Sequence, residues 1–540
     1  MHILVTGSNS RLGAAIVRAL SASHDVRTLD LAPPTHGPIP TYVGDLRDRD
    51  FAARAVADCD AVVQVGPLVG PDASPLDVLD AATRGTYNLL TTATSASRFI
   101  LISTLRLFAQ YPMEWRVTEQ WAPRPTTDVA DLAPYLAECT VREVSRVMPL
   151  KAIALRLGEV VDDADVRDRP ADPGWLHLDD AVQAVERALA FEEAAPGAWE
   201  PSIAHPTTGW WVFHIPGGGS QTRVPLGLAG QPAFGYTPRH DLTAPGASAQ
   251  PQPPPPPVRS FAGQPGGTAR HVVLYGAGGP LGAVTAEALA RDHVLRLTDV
   301  RPLAEIAAAN SPQSPGAPVP RQLDPPHESR VVDVTDADQV TEAARGMDTI
   351  VNCTVVRPDS VLAFRVNTLG AYNVMRAAVA CGIRRVVHTG PQQVTLPYPA
   401  GYGYDFALPS DLPSRPGANL YILTKFLGQE ICRIFAEAHD LEVPTLLFSS
   451  FVNPSNPAPE PLGAYPFSIS WEDAGAAMRQ AVRVPTFPRP FEPMHIVADL
   501  PHGKYANLKA KQLLGWQPRD QLEAHWLRQF AADGGSAAIP

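Results

Sequence analysis

Cysteine, charge and long apolar runs are all scarce in this chain, and each scarcity removes a class of function. The five cysteines, Cys59, Cys139, Cys353, Cys381 and Cys432, are scattered, with no CxxC and no histidine pair at zinc spacing. That excludes a disulfide framework and a structural zinc module, and predicts reduced thiols in a cytoplasmic protein with no bound metal. Charged residues make up only 18% of the sequence, the formal net charge is -11, and no basic stripe gathers lysine and arginine. A nucleic-acid partner, which needs clustered cations against phosphate, is therefore not expected. No stretch approaches the roughly 18 consecutive apolar residues of a membrane span. The N-terminus opens on Met1-His2-Ile3-Leu4-Val5-Thr6-Gly7, a strand running into a turn, with neither the basic nor the long apolar region of a secretory leader. A soluble cytoplasmic protein without membrane partners is the expectation.

What is present is length, proline and repetition. At 540 residues the chain is two to four times the usual size of a folding domain, so more than one core is expected. Periodic apolar patterning breaks between about Leu242 and Arg270, where Pro253 to Pro257 run unbroken. Such a run favours an extended spacer, although it also has the composition of a ligand for proline-recognition domains. The expected organisation is residues 1–243, a linker over 244–269, and residues 270–540.

The two flanking segments repeat one another. Gly7, Gly13 and Asp30 recur as Gly276, Gly282 and Asp299, each 269 positions later. Asp45 recurs as Asp333, Gly85 and Asn88 as Gly370 and Asn373, and Tyr135 as Tyr421, at offsets of 285 to 288. The change of offset places an insertion of about 19 residues in the second copy, around Ala304 to Arg321. Within each copy short apolar runs alternate with helix-like segments, the signature of βαβ units on a parallel sheet. Buried strands are predicted at His2–Val5, Val26–Leu29, Ala61–Val65 and Phe99–Ile102, and again at Val272–Tyr275, Val294–Leu297, Thr349–Cys353 and Val386–Thr389. Helices are predicted at Leu12–Ser21 and Leu281–Ala290, directly after the glycine turns. The fold class expected is α/β, two Rossmann-type doubly wound parallel-sheet domains in tandem.

A glycine turn between a strand and a helix lets the backbone approach a pyrophosphate that rests on the helix N–H groups. The second copy has this in full as Gly276-Ala277-Gly278-Gly279-Pro280-Leu281-Gly282, and Pro280 suits a first helical turn, where its missing N–H is not needed. The first copy, Gly7-Ser8-Asn9-Ser10-Arg11-Leu12-Gly13, puts Ser10 at the middle place. The acid after each second strand, Asp30 or Asp299, can accept from adenosine ribose hydroxyls and repels a 2′-phosphate, which favours NAD over NADP. Arg11 and Arg301 are the candidates that would pair with a 2′-phosphate instead.

These residues resemble the extended short-chain dehydrogenase/reductase family, of the NAD-dependent epimerase/dehydratase type, in two tandem copies. The resemblance also rests on Gly44-Asp45-Leu46, Gly85-Thr86-Tyr87-Asn88-Leu89-Leu90, Arg156-Leu157-Gly158 and His177-Leu178-Asp179-Asp180 in the first copy. In the second it rests on Asp333-Val334, Asn367-Thr368-Leu369-Gly370-Ala371-Tyr372-Asn373 and Tyr421-Ile422-Leu423-Thr424-Lys425. It implies cofactor contacts at Gly276, Gly279, Gly282, Asp299, Asp333 and Asn367, with counterparts at Gly7, Gly13, Asp30 and Asp45. It also implies chemistry by a Tyr-x-x-x-Lys pair and a Ser or Thr after the fourth strand. A spacing of four puts tyrosine and lysine on one helical face. Lowering a tyrosine pKa from about 10 to about 7 takes roughly 4 kcal/mol, which one cation at about 4 Å supplies at an effective dielectric near 20.

Both copies are damaged against that pattern. The first keeps Ser103, Thr104 and Tyr135 but has Cys139 in place of lysine; the second keeps Tyr421 and Lys425 but has Gly390-Pro391-Gln392 at the hydroxyl position. A missing donor costs on the order of 10²- to 10³-fold in rate, and Thr389, Gln392 or Gln393 are candidates to replace it. Chemistry is therefore expected in the second copy, at Tyr421 and Lys425. His177-Leu178-Asp179-Asp180 is read as structural rather than metal-binding, and Trp210-Trp211 and Trp471 as core or pocket wall. Two functions remain open: an NAD-dependent oxidoreductase or epimerase/dehydratase acting on a small sugar-like or other hydroxyl/carbonyl substrate, or a non-catalytic NAD-binding scaffold or sensor. The family's pairing through the tyrosine-bearing helix further implies an intramolecular pseudo-dimer of the two copies.

Overall fold

The computed structural model describes residues 1–34, 39–167, 169, 172, 174–192, 209–218, 223–242, 270–309, 316–395, 407–439, 441–455, 467–500 and 503–525. The chain divides into two compact units, residues 1–256 and 257–540. The predicted linker, 244–269, lies outside the described residues.

The first unit is built on β1 (His2–Thr6), β2 (Asp25–Asp30), β3 (Thr41–Val43), β4 (Ala61–Val65), β5 (Arg98–Thr104), β6 (Lys151–Leu157) and β7 (Trp210–Ile215). They form one parallel sheet in the order β3-β2-β1-β4-β5-β6-β7. The second unit repeats this with β8 (His271–Tyr275), β9 (Val294–Asp299), β10 (Glu328–Val331), β11 (Thr349–Asn352), β12 (Arg385–Pro391), β13 (Val443–Phe448) and β14 (Phe491–His495). Its order is β10-β9-β8-β11-β12-β13-β14. The central strands are rich in Val, Ile and Leu and buried on both faces, as a sheet sandwiched between helices requires. Each fully buried Val or Leu of that kind contributes about 1.5–3 kcal/mol.

In both sheets the chain reverses direction of travel beside the first strand, so a crevice opens at the carboxyl ends of β1 and β4, and of β8 and β11. The glycine turns occupy that edge. They lead into α1 (Arg11–Leu20) and α3 (Pro280–Leu289). The family tyrosines sit on α2 (Val129–Ser145) and α4 (Leu420–His439). Tyr135 stands well inside its helix rather than at the start, because Asp128 caps the helix earlier, accepting from Ala130 N–H at 2.8 Å.

Two features were not legible as periodicity. The insertion of the second copy opens with a short helix, Leu303–Ala309. The helix after β4 and the helix after β11 each contain a π-helical turn, Ala81–Gly85 and Ala363–Leu369, a deformation that is frequent at functional sites. The second of these brings the Asn367 carbonyl against α4 at Gly428, where a Cβ would collide with it.

Candidate active site

In the second unit the turn after β8 needs its glycines for separate reasons. Gly276 has φ of 79°, a left-handed conformation costly for other residues, and a Cβ on Gly282 would overlap the Gly276 carbonyl. At Gly279, in contrast, a Cβ would meet only that carbonyl, 3.8 Å away, so its outer side is open. Gly279 is the N-cap of α3 and supplies no side-chain cap, leaving the first N–H groups of the helix for an incoming acceptor. Asp299, the last residue of β9, accepts from Gly278 N–H and Val300 N–H, both at 2.8 Å, which fixes its carboxylate beside the turn. Burial raises the Asp299 carboxyl above the ordinary carboxylate range, and those N–H groups pull it back down.

Next to the turn lies a cavity of about 630 Å³, walled by Gly279, Gly282, Cys353, Arg357, Tyr421 and Lys425 among others. Lys425 is 3% exposed and donates to the Thr354 carbonyl at 3.3 Å. Burial lowers its ammonium to about 8, with the nearby thiols of Cys432 and Cys353 opposing the shift and Arg357 adding to it. Burial likewise pushes both thiols up to about 12, so they are inert neighbours rather than nucleophiles. Tyr421, one turn before Lys425, is half-buried, and the Arg357 guanidinium lies 5.1 Å from its ring centre.

The hydroxyl position is vacant of hydroxyl. In the first unit β5 ends at Thr104 and a 3-10 turn begins at Leu105; in the second β12 ends at Pro391 and the turn begins at Gln392, so Pro391 is the counterpart of Thr104. Of the replacement donors expected from sequence, Thr389 lines the cavity but donates to the Asn352 carbonyl at 2.8 Å. Gln392 turns away and donates to Ile496 O at 3.2 Å, a correction to its candidacy that follows from the short helical turn. Gln393 faces the cavity and donates to Ser449 Oγ at 3.0 Å. Trp471 is pocket wall, stacked on Phe451 at 4.1 Å and 5°. Trp210 and Trp211 are buried on β7, the edge strand of the first sheet.

Asp333 and Asn367 are not in the cavity wall. Asp333 accepts from Thr335 N–H and Oγ1 at 2.9 and 2.8 Å. Asn367 is buried; it accepts from Val356 N–H at 3.0 Å and donates to Val356 O at 2.7 Å and to Thr424 Oγ1 at 2.9 Å. It thereby ties the loop after β11 to the helix that carries Tyr421 and Lys425. Asn373 holds the loop after β10 by donating to Val334 O at 3.0 Å, as Asn88 does to Leu46 O in the first unit.

The first unit keeps the scaffold and fills the site. Gly7 has φ of 68°, and Gly13 has the same steric need as Gly282. Ser10, however, caps α1: its Oγ accepts from Gly13 N–H at 3.0 Å and donates to Gly7 O at 2.7 Å. Asp30 is held as Asp299 is, by Asn9 N–H and Leu31 N–H, both at 2.8 Å, whereas both oxygens of Asp45 are taken by Arg47. Arg11 pairs with Asp165 and Asp162, so it is not held for a 2′-phosphate. Tyr135 and Cys139 are buried. Ser103 donates to Glu138 at 2.5 Å, and Glu138 is in turn bound by Arg156, which lies against His214 at 3.3 Å. Sequence reasoning missed Glu138, since its partners, Ser103 and Arg156, lie on two different strands, β5 and β6. His177 and His240 stack at 3.7 Å near Asp179, a grouping with ligand atoms within 4.8 Å of one another. His177 Nδ1 accepts the Asp179 N–H and so serves as the cap of its helix.

A family model described as "NAD dependent epimerase/dehydratase family" matches residues 3–162 and again residues 272–470, about two thirds of the chain. This chain belongs to the NAD dependent epimerase/dehydratase family. Its cofactor is NAD, it is an NAD-dependent enzyme, and each of its two units carries the family's segment. Among curated relatives, the L-arabinose 1-dehydrogenase (NAD(P)(+)) of Haloferax volcanii is 29% identical over 271 residues, 46% of this chain and 96% of that protein. Among solved structures, uronate dehydrogenase from Agrobacterium tumefaciens is 26% identical, covering 48% of this chain and 87% of its own, with a TM-score of 0.38. UDP-glucuronic acid 4-epimerase from Bacillus cereus in complex with NAD is 16% identical, covering 45% of this chain and 95% of its own, with a TM-score of 0.36. The second unit suits the family's cofactor: the open face at Gly279, the uncapped helix end and the fixed Asp299 carboxylate are what a pyrophosphate and an adenosine ribose need. Among the described residues no helix is long and apolar enough to cross a membrane.

Proposed function

We propose that the second unit oxidises or reduces a hydroxyl/carbonyl centre of a small sugar-like substrate, with NAD rather than NADP. The observation that carries this reading is the buried Lys425 one helical turn from Tyr421, in a cavity that also contains the glycine turn. NAD supplies a hydride acceptor when bound. The chain's residues do the rest: Tyr421 takes the proton of the substrate hydroxyl, and the Lys425 ammonium stabilises the phenolate that does so. Ser449 is the donor that replaces the missing hydroxyl, because Gln393 donates to its oxygen and leaves its own proton to point at substrate. A cavity of about 630 Å³ shared with the nicotinamide end suits a monosaccharide better than a nucleotide sugar. Gly276, Gly279, Gly282, Asp299 and Asp333 are assigned to the cofactor, and Asn367 to positioning. The five free cysteines fit a reducing compartment, and we place the enzyme in the cytoplasm. The test is NADH formation by the full chain over a panel of aldoses and sugar acids; absence of turnover with every member would overturn the reading.

The first unit is assigned no turnover, since Cys139 offers no cation and Ser103 is held by Glu138. Calorimetry on the full chain is expected to give one tight NAD site per chain. Gly279→Asp, which places a carboxylate in the open pyrophosphate seat, is expected to abolish that site without unfolding the chain. A tight site surviving in this variant would assign the cofactor to the first unit instead.

The two units are proposed to associate as a pseudo-dimer through the helices bearing Tyr135 and Tyr421. A tether of about 26 residues brings the effective concentration of one unit around the other to the millimolar range. Small-angle scattering from the full chain is expected to show one compact particle; a broad spread of interdomain distances would refute the association.

A further inference from the structure

Among the described residues, the walls of the active-site cavity contain two cations, Lys425 and Arg357, and no carboxylate. Lys425 is buried and engaged by the Thr354 carbonyl, and the proposed chemistry uses it beside Tyr421. Arg357 has no such employment. Other arginines of this unit are matched with acids: Arg385 with Glu442, Arg489 with Asp411 and Glu492, Arg433 with Glu430 and Glu437. Arg357 is exposed and makes no ion pair among the described residues; its contact is the face of the Tyr421 ring, 5.1 Å away. We propose that Arg357 is a specificity-determining residue that binds a carboxylate on the substrate, so that the preferred substrate is a sugar acid.

The geometry suits that role in three ways. A guanidinium lying over an aromatic ring keeps its N–H edge free, and that edge matches the two oxygens of a carboxylate. The backbone before it is fixed, because both the N–H and the carbonyl of Val356 are bonded to Asn367, and Pro358 follows. An arginine held in place before binding loses less freedom on meeting its ligand. Its position at the tyrosine end of the cavity assigns the anion to the reacting molecule, whereas the pyrophosphate has its own seat at Gly279 and the end of α3. Arg357 also lowers the Lys425 ammonium, and a carboxylate docked on it relieves that repulsion at the moment the lysine is needed.

The inference rests on the sugar-oxidising reading, and two series of substrates separate the two. D-galacturonate, D-galactose and L-arabinose share one ring configuration and differ in carrying a carboxylate, a hydroxymethyl group or hydrogen at C5; D-glucuronate, D-glucose and D-xylose form the second series. The full chain is expected to prefer the acid in at least one series. Arg357→Gln is expected to lower kcat/KM for that acid by about 10- to 100-fold, mainly through KM, as loss of a charge-assisted pair does. The neutral sugars should change by less than about threefold, NAD affinity should be unchanged, and Arg357→Lys should recover part of the loss. Equal loss on acid and neutral sugars, or weakened NAD binding, would overturn the assignment. So would turnover of neutral sugars with no preference for acids, which leaves the oxidoreductase reading intact. Calorimetry of galacturonate and glucuronate against the NAD-loaded chain reads the same site without turnover. Binding lost in Arg357→Gln supports the inference even if the chemistry were misassigned, and no binding by either acid refutes it.

Discussion

Tyr421→Phe is expected to lower kcat by 10²- to 10⁴-fold, the range for loss of a general base, with NAD affinity unchanged. Phenylalanine keeps the ring that lies beneath Arg357 and removes only the hydroxyl that titrates, so packing around the half-buried site is preserved. Steady-state rates on the best substrate of the panel, with NAD affinity measured on the same preparation, check this. The matching change in the first unit, Tyr135→Phe, is expected to leave turnover unaltered, because a buried cysteine, Cys139, stands where the second unit has its ammonium. Undiminished activity in Tyr421→Phe would remove the assigned base and with it the mechanism.

Lys425→Met is expected to act in two directions, abolishing turnover and stabilising the second unit. The lysine titrates at about 8 in the folded chain, against 10.5 for an ordinary exposed lysine. Between those values the unfolded chain binds more protons than the folded one, so stability rises as pH goes from about 8 to about 10.5. Below pH 8 the buried ammonium costs the fold the full difference, on the order of 3 kcal/mol. Methionine, of similar length and without charge, removes that cost. Melting of the full chain at pH 7 should therefore show the second unit's transition several degrees higher in the variant, and the gap should narrow toward pH 10. A variant less stable than the parent at pH 7 would mean that the bond from Lys425 to the Thr354 carbonyl outweighs the desolvation of the charge.

Much of this site could be read from the chain because its demands are local. Gly276 is required by its own φ and Gly282 by a carbonyl six residues away, so both leave a mark in sequence spacing. Asp299 ends its strand and reaches back to Gly278, again within one βαβ unit. The parallel sheets likewise follow from the alternation of buried strands and helices, although their strand order does not. What escaped notice depends on partners distant in sequence. Asn367 reads as a cofactor ligand by resemblance, yet its side chain clamps Val356 and Thr424. Ser103 reads as an intact catalytic hydroxyl until Glu138 is found to hold it. Arg357 is one arginine among many in sequence, and only the walls of the cavity distinguish it. A charged residue in the loop at the carboxyl end of a central strand was the one available signal, since ligands of parallel sheets bind at that edge.

The replacement of lysine by Cys139 has a consequence beyond lost chemistry. A copy that must turn over substrate is compelled to keep an unneutralised ammonium in its interior, and every later substitution there is accepted or rejected with that liability in place. The copy bearing Cys139 has no such liability, and its interior holds the matched Glu138 and Arg156 instead. If chemistry is confined to the second unit as proposed, the two halves carry different burdens: one must tolerate a buried ammonium, and the other holds a matched ion pair in its place.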